Sequence, residues 1–448
     1  MCLCGNVAHE SQFTMTPARK WLMGAGGFVV LLLAIAALAW ALVPRNDELA
    51  RRAAAALSSA SGVPVSVGSV HWELLPVPRV VAEAIVTGRP RPVEIKKITF
   101  YPRFVALLQR RLQFQRVVLE GATLSQLSLR ALTQGFNAER APTGAPFALD
   151  ALPVERLEVR DVTWLSRNNI AVVYDGEADF DAGWLPRHGQ LRRPGVQPAA
   201  DLSITRQAQD DRWAVMVRLG GGTANGEVQL QTLDDGRLRL GGTLLPQGID
   251  TAAFMATFNR QPVLAGKASG TTTLSAEAPS LVALIQSLHT RSGLRVSRAR
   301  LLLFDLDKAV RSAGRDHDGV TALDSLSGQL DTQSTPNGLV IDFSNVKAGS
   351  GVLTATGKAR LLNQRIDGEF AVDLVKGVVG VPLKISGPVS DVNVSVPAAA
   401  VAGAAVGTAV LPGVGTALGA RIGATLGKIF SPEAERAPRQ KPPTPRGP

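Results

Sequence analysis

The chain has little that does chemistry. Its 448 residues hold two cysteines, Cys2 and Cys4, and five histidines, His9, His71, His188, His289 and His317. The body therefore has no thiol, which permits an oxidising compartment without requiring one. The histidines stand too far apart for metal-ligand spacing. No Gly-x-Ser-x-Gly occurs, and Gly423-Ala-Thr-Leu-Gly427-Lys428-Ile429 has the wrong spacer and the wrong last residue for a phosphate loop. Gly413-x-Gly415 lies in Ala-rich sequence with no strand before it, so a dinucleotide fold is unsupported. No enzyme is expected, and no metal or cofactor.

Acids are also short, at 37 against 48 Lys and Arg, giving a net charge of +11. That balance suits an anionic membrane surface. Nucleic acid is the weaker reading, because the basic residues are scattered and no Arg-rich block is interleaved with aromatics. Aromatics are only 5% while Gly and Pro are frequent, which is lean for one large core but compatible with many short strands and turns.

One long uncharged run stands out. Trp21 to Val43 would make roughly 34 Å of helix at ~1.5 Å per residue, enough to span a bilayer core of about 30 Å. Arg19 and Lys20 close it on one side, Arg45 on the other, with Trp21 and Trp40 near its ends. It exceeds the apolar core of a cleavable signal peptide and ends without a small-residue cleavage site, so an uncleaved anchor is expected. Lys and Arg flank both ends, so charge does not decide the orientation. Met15 offers an alternative start.

Beyond the anchor, Asn46 caps an expected helix to Ala60, with Asp47 and Glu48 in its first turn. The period then changes to two. Val70, Trp72 and Leu74 alternate with polar or small residues, as do Trp213, Val215, Val217 and Leu219, then Val228 and Leu230, Leu238 and Leu240, and Leu339, Ile341 and Phe343. These positions are the expected lining of an apolar face. Short helices are expected at Pro102–Leu112, Thr251–Phe258, Leu281–Leu288 and Leu306–Ser312, the third headed by Pro279 and Ser280, with Asp250 and Asp305 as caps for the second and fourth. Gly183–Gln197, which contains Trp184 and His188, reads as a mobile surface insertion. Ala398–Phe430 is rich in Ala and Gly; Gly403 and Gly407, then Gly415, Gly419, Gly423 and Gly427, recur every four residues, a spacing that lets helices approach closely in lipid. It reads as two short helices docking on a membrane or on the sheet, with a second span at 398–420 or a mobile tail as alternatives.

Two stretches carry a resemblance. Ser61-Gly-Val-Pro-Val-Ser-Val-Gly-Ser-Val-His-Trp-Glu-Leu-Leu-Pro76, then Arg103–Leu112 and Val117-Val-Leu-Glu-Gly-Ala-Thr-Leu124, resemble the start of AsmA-family proteins, with Ser61 in place of the usual Thr and Ala122 in place of Pro. Gly270–Ala276, Leu294–Leu306, Thr321–Gly328, Asn337–Leu339, Gly349–Gly357, Arg365–Gly368 and Val381–Val392 follow that family's C-terminal order, with Asn393 replacing a Pro. The resemblance covers roughly the first quarter and last third of the chain. It implies an inner-membrane protein with its body in the periplasm, related to bridge-like lipid carriers and associated with lipid homeostasis and outer-membrane assembly.

The expected fold is mainly β: a transmembrane helix followed by an elongated, curled antiparallel sheet forming an open groove, a few short helices and the Ala/Gly-rich helical segment. The expected order is a cytoplasmic tail (1–20), the anchor (21–43), an N-terminal AsmA-like region (44–132), a linker (133–150), a central β region (151–248), a C-terminal AsmA-like region (249–396), membrane-associating helices (397–430) and a disordered Pro-rich tail (431–448). The expected partners are membrane phospholipids and envelope or outer-membrane assembly proteins. A non-enzymatic scaffold for outer-membrane proteins is the alternative.

Overall fold

A computed structural model describes residues 46–73, 75–88, 92–126, 148–181, 185–207, 211–279, 281–335, 338–374 and 378–397. The expected tail and anchor (1–43), Leu74, Trp184, most of the expected linker, the glycines from Gly403 to Gly427 and the Pro-rich tail lie outside them. Among the described residues no helix is long and apolar enough to cross a membrane.

Helix α1 (Asn46–Ser61) presents Leu49, Ala50, Ala53 and Leu57 on one stripe, and all four are buried. The chain then reverses through Gly62. The Ser58 hydroxyl accepts a hydrogen bond from the Val65 amide at 2.8 Å, tying helix to strand. Strands β1 (Val65–Glu73), β2 (Arg79–Thr87) and β3 (Glu94–Pro102) follow, then helix α2 (Phe104–Leu108), shorter than expected because strand β4 (Arg111–Ser125) takes over its last turn.

Strand β5 (Ala148–Leu165) begins inside the segment read as a linker and pairs with β4 in parallel, correcting the expectation of a purely antiparallel sheet. After it come β6 (Ala171–Phe180), β7 (Pro186–Arg192), β8 (Asp201–Arg206), β9 (Arg212–Leu219), β10 (Gly222–Thr232), β11 (Leu238–Gln247) and the short β12 (Ile249–Asp250). The Gly183–Gln197 insertion is corrected too: β7 pairs with both β6 and β8. Its alternation is hard to see because one inward position is Gly189, where a Cβ would come within 3.1 Å of Ile204.

The last part contains α3 (Thr251–Thr257), β13 (Leu264–Ala278), α4 (Leu281–Gln286), β14 (His289–Leu301), α5 (Leu306–Arg311), β15 (Thr321–Thr335), β16 (Gly338–Gly349), β17 (Leu353–Leu362), β18 (Arg365–Leu374), β19 (Val378–Pro388) and β20 (Asn393–Ser395). Asp250 and Asp305 cap α3 and α5 as expected, accepting from the Ala253 and Lys308 amides at 2.9 and 3.0 Å.

Each strand pairs with its neighbours in chain order, except that β12 adds to β13 beyond the end of β11. The outer strands β1 and β20 do not meet. The result is one long open sheet that does not curl, which corrects that part of the expected fold. A curl would serve to hide the apolar face from water. Here the helices do part of that work. Helix α1 lies in one apolar cluster with β1–β5, Leu284 of α4 in a second with β9–β11 and β13, and α5 in a third with β13–β20.

Candidate functional site

Register makes the alternating residues of separate strands into one surface. On one face, Trp72, Val80, Phe100, Val117 and Leu157 are successive cross-strand partners from β1 to β5. The same row continues through Ala178, Gly189, Ile204, Val215, Gly226 and Leu244 from β6 to β11. It then passes through Thr272 and Ser292 to Leu330, Phe343, Ala359, Gly368, Ile385 and Val394 on β20. Every member is apolar or glycine except Thr272 and Ser292. Those two hydroxyls bond each other at 2.9 Å, which leaves less polarity to present to the face.

A second row runs beside it: Val70, Ala82, Ile98, Leu119, Val159, Gly176, Leu191, Leu202, Val217 and Ala224. The apolar strip is thus at least two residues wide from β1 to β10. At ~4.8 Å per strand the sheet extends roughly 85 Å.

The described residues expected to line the face share it, though not one pocket. Val70 is fully buried and Trp72 packs on the same cluster, under α1, so both belong to a filled core. Trp213 is buried and donates from Nε1 to the Pro186 carbonyl at 2.7 Å. It pairs with Val228, while Leu230 pairs with Leu240 and Leu238 with Ala278, all beside Leu284. Val215 is buried, Val217 and Leu219 half-buried. Ile341 and Phe343 are half-buried and Leu339 is exposed.

Burial along the strip is uneven. Leu157, Val159, Ala178, Leu191, Leu202 and Ile204 line an open apolar hollow of about 230 Å³ across β5–β8. Further on, Leu244, Leu274, Leu294, Leu330 and Phe343 are only half-buried. The hollow was not anticipated from sequence, because two of its walls are the glycines Gly176 and Gly189 and strand alternation does not fix which strands touch.

The opposite face is held by ion pairs at matched register. Arg156 bonds Asp179 at 2.6 and 3.0 Å, Arg218 bonds Asp201 at 2.9 Å, and Arg239 bonds Glu277 at 3.0 Å. The Arg156 guanidinium holds the Asp179 carboxyl below its usual range, and on Asp331 the bond from His289, helped by Arg291, does the same. A concavity of about 930 Å³ is lined by side chains of this polar face, among them Arg212, Gln229, Arg239, Glu277 and His289, together with apolar residues. It is open and ion-paired on one side, and it also takes in Val228 and Leu240, two of the positions the sequence suggested for the apolar face. Among the described residues no group of three or more His, Cys, Asp or Glu is placed to hold a metal.

Comparison with protein-family models, with curated proteins and with solved structures finds no match.

Proposed function

We propose that the apolar strip carries phospholipid acyl chains, and that the protein is an AsmA-like, membrane-anchored, non-enzymatic lipid carrier of the bacterial envelope. The anchor is the uncharged run from Trp21 to Val43, with the body in the periplasm. One observation supports this above the others: a single row passes through every strand from β1 to β20 except β12, apolar or glycine at every position but the mutually bonded Thr272 and Ser292, and between the helices most of it is only half covered. Each acyl CH₂ kept from water is worth ~0.8 kcal/mol, so a lipid leaves a bilayer readily only along continuous apolar wall. One leaflet of hydrocarbon is about 15 Å, half of a ~30 Å core. That matches about three strand spacings of ~4.8 Å, so the half-open stretch from β5 to β10 is long enough for an acyl chain. Headgroups would stay at the sheet rim, in solvent.

The scaffold reading has its own supporting observation, the open concavity around the Arg239–Glu277 ion pair, whose charged side suits a protein surface better than a fatty chain. Phospholipid transfer separates the two. The full chain, reconstituted in donor vesicles, is assayed for delivery of a fluorescent phospholipid to acceptor vesicles. Val217→Asp, on the strip, should abolish transfer. Met216→Asp, next to it on the exposed polar face, should leave transfer intact. No transfer by the unmodified chain, or equal effects of both changes, favours the scaffold.

A further inference from the structure

The most exposed apolar side chains of the N-terminal strands gather at one end of the sheet. Leu75 is 85% and Val77 53% exposed in the β1–β2 turn, while Phe104 is 45% and Val105 66% exposed on α2. The turn follows Glu73 and precedes Arg79, and α2 follows Pro102, so both project from the edge where β1 ends, β2 begins and β3 ends. Ala106 and Leu107 of α2 are buried, so the helix is fixed to the sheet with Phe104 and Val105 pointing outward.

Charge and connectivity single out the same end. Arg110 and Arg111 are both exposed beside α2. Helix α1 packs along β1 and the chain reverses between them within residues 62–64, so α1 runs antiparallel to β1. Its ~24 Å of helix against ~30 Å of strand brings Asn46 back to the Glu73 end. The uncharged run Trp21–Val43 is joined there by only two residues, Pro44 and Arg45.

We propose that this end of the sheet seats on an anionic phospholipid bilayer, with Leu75, Val77, Phe104 and Val105 entering the interface and Arg110 and Arg111 meeting the headgroups. Apolar side chains gain by leaving water at the acyl boundary, and basic residues are drawn to anionic headgroups within a Debye length. The strip's first strands are then held against the membrane. This goes beyond the carrier reading and does not require it, since a scaffold would be seated in the same way.

The test uses the full chain with Cys2→Ser and Cys4→Ser, which removes its only cysteines. Leu75→Cys, Val105→Cys and, as a control many strands away, the exposed Val352→Cys each carry a nitrobenzoxadiazole probe. Each variant is reconstituted in vesicles of phosphatidylethanolamine and phosphatidylglycerol containing brominated phospholipid. Quenching at 75 and 105 should exceed that at 352 by about threefold or more. Adding Leu75→Asp and Val77→Asp should lower the quenching at 105. Equal quenching at all three positions overturns the proposal, and so does blue-shifted but unquenched emission at 75, which would mark a protein contact. The readout is probe depth rather than lipid delivery, so its failure and a failure of phospholipid transfer are separate results.

Discussion

Strands β2 and β11 lie in one sheet, yet the same face meets different surroundings on each. On β2, Val80, Ala82 and Ile85 are all buried, in the cluster that α1 joins. The opposite side of that strand is closed as well, with Val81 fully buried. On β11 only Leu238 is buried; Leu240 and Leu244 are half-buried, and the strand's other side is exposed at Arg239 and Thr243. The N-terminal strands therefore form a filled core and the middle strands a half-open wall. Stability should concentrate in the first, and any lipid traffic in the second.

The comparison can be broken by truncation. Phe100→Ala, in the filled core, should cost about 3–5 kcal/mol of unfolding free energy, as buried Phe→Ala changes do. Leu244→Ala, on the half-open wall of the same row, should cost well under half of that, because less surface and less cavity are involved. Equal losses in denaturant unfolding would erase the distinction.

A glycine sharpens it. A Cβ at Gly226 would come within 1.9 Å of the Thr243 carbonyl oxygen, so the close approach of β10 to β11 needs a residue with no side chain there. Gly226→Val should cost about 1–3 kcal/mol, the usual range for overpacking. A neutral result by thermal unfolding would mean that the middle strands are looser than their register implies.

The polar pair in the row gives a smaller effect. Thr272→Val strands the hydroxyl of the buried Ser292 and should cost about 1 kcal/mol or somewhat more. Thr272→Val with Ser292→Ala should recover most of it, because both partners are then apolar. A double variant no better than the single one would show that the hydroxyls serve something other than each other.

The smallest effect lies on the polar face. Asp179 is held below its usual range by Arg156, so its folded carboxyl stays ionised to lower pH than the unfolded one. Its stabilising contribution is therefore present above about pH 4, the unfolded value, and is lost as pH falls through the depressed folded value. Asp179→Asn should cost under about 1 kcal/mol near neutrality, since the pair is partly exposed. The difference from the unmodified chain should vanish in acid. A difference that persists unchanged at low pH would contradict the ion-pair account.

Much of this was legible in the residues. The alternation of Trp213, Val215 and Val217 with Arg212 and Arg218 placed the apolar side of β9, and Asp250 and Asp305 marked helix starts through their cap chemistry. Three features were not legible. Strand β7 was hidden because Pro186–Arg192 has one large apolar side chain, Leu191, while Gly189 fills its other inward place under Ile204. The parallel pairing of β4 with β5 depends on a long connection that alternation does not describe. The unity of the row from Trp72 to Val394 depends on register, which turns and mid-strand irregularities such as that at Ala265/Lys267 adjust residue by residue. The curl was expected because an oily face must be hidden; α1, α4 and α5 show a second way to hide part of it.

The most direct measurement places a photo-crosslinking amino acid at one position of the row per variant, at Leu157, Ile204, Leu244 and Leu330, in the full chain in bacterial membranes. Irradiation should yield a phospholipid adduct at each of the four, with none at the polar-face controls Met216 and Arg239. Adducts at a single position, or none at any, would contradict a continuous lipid path.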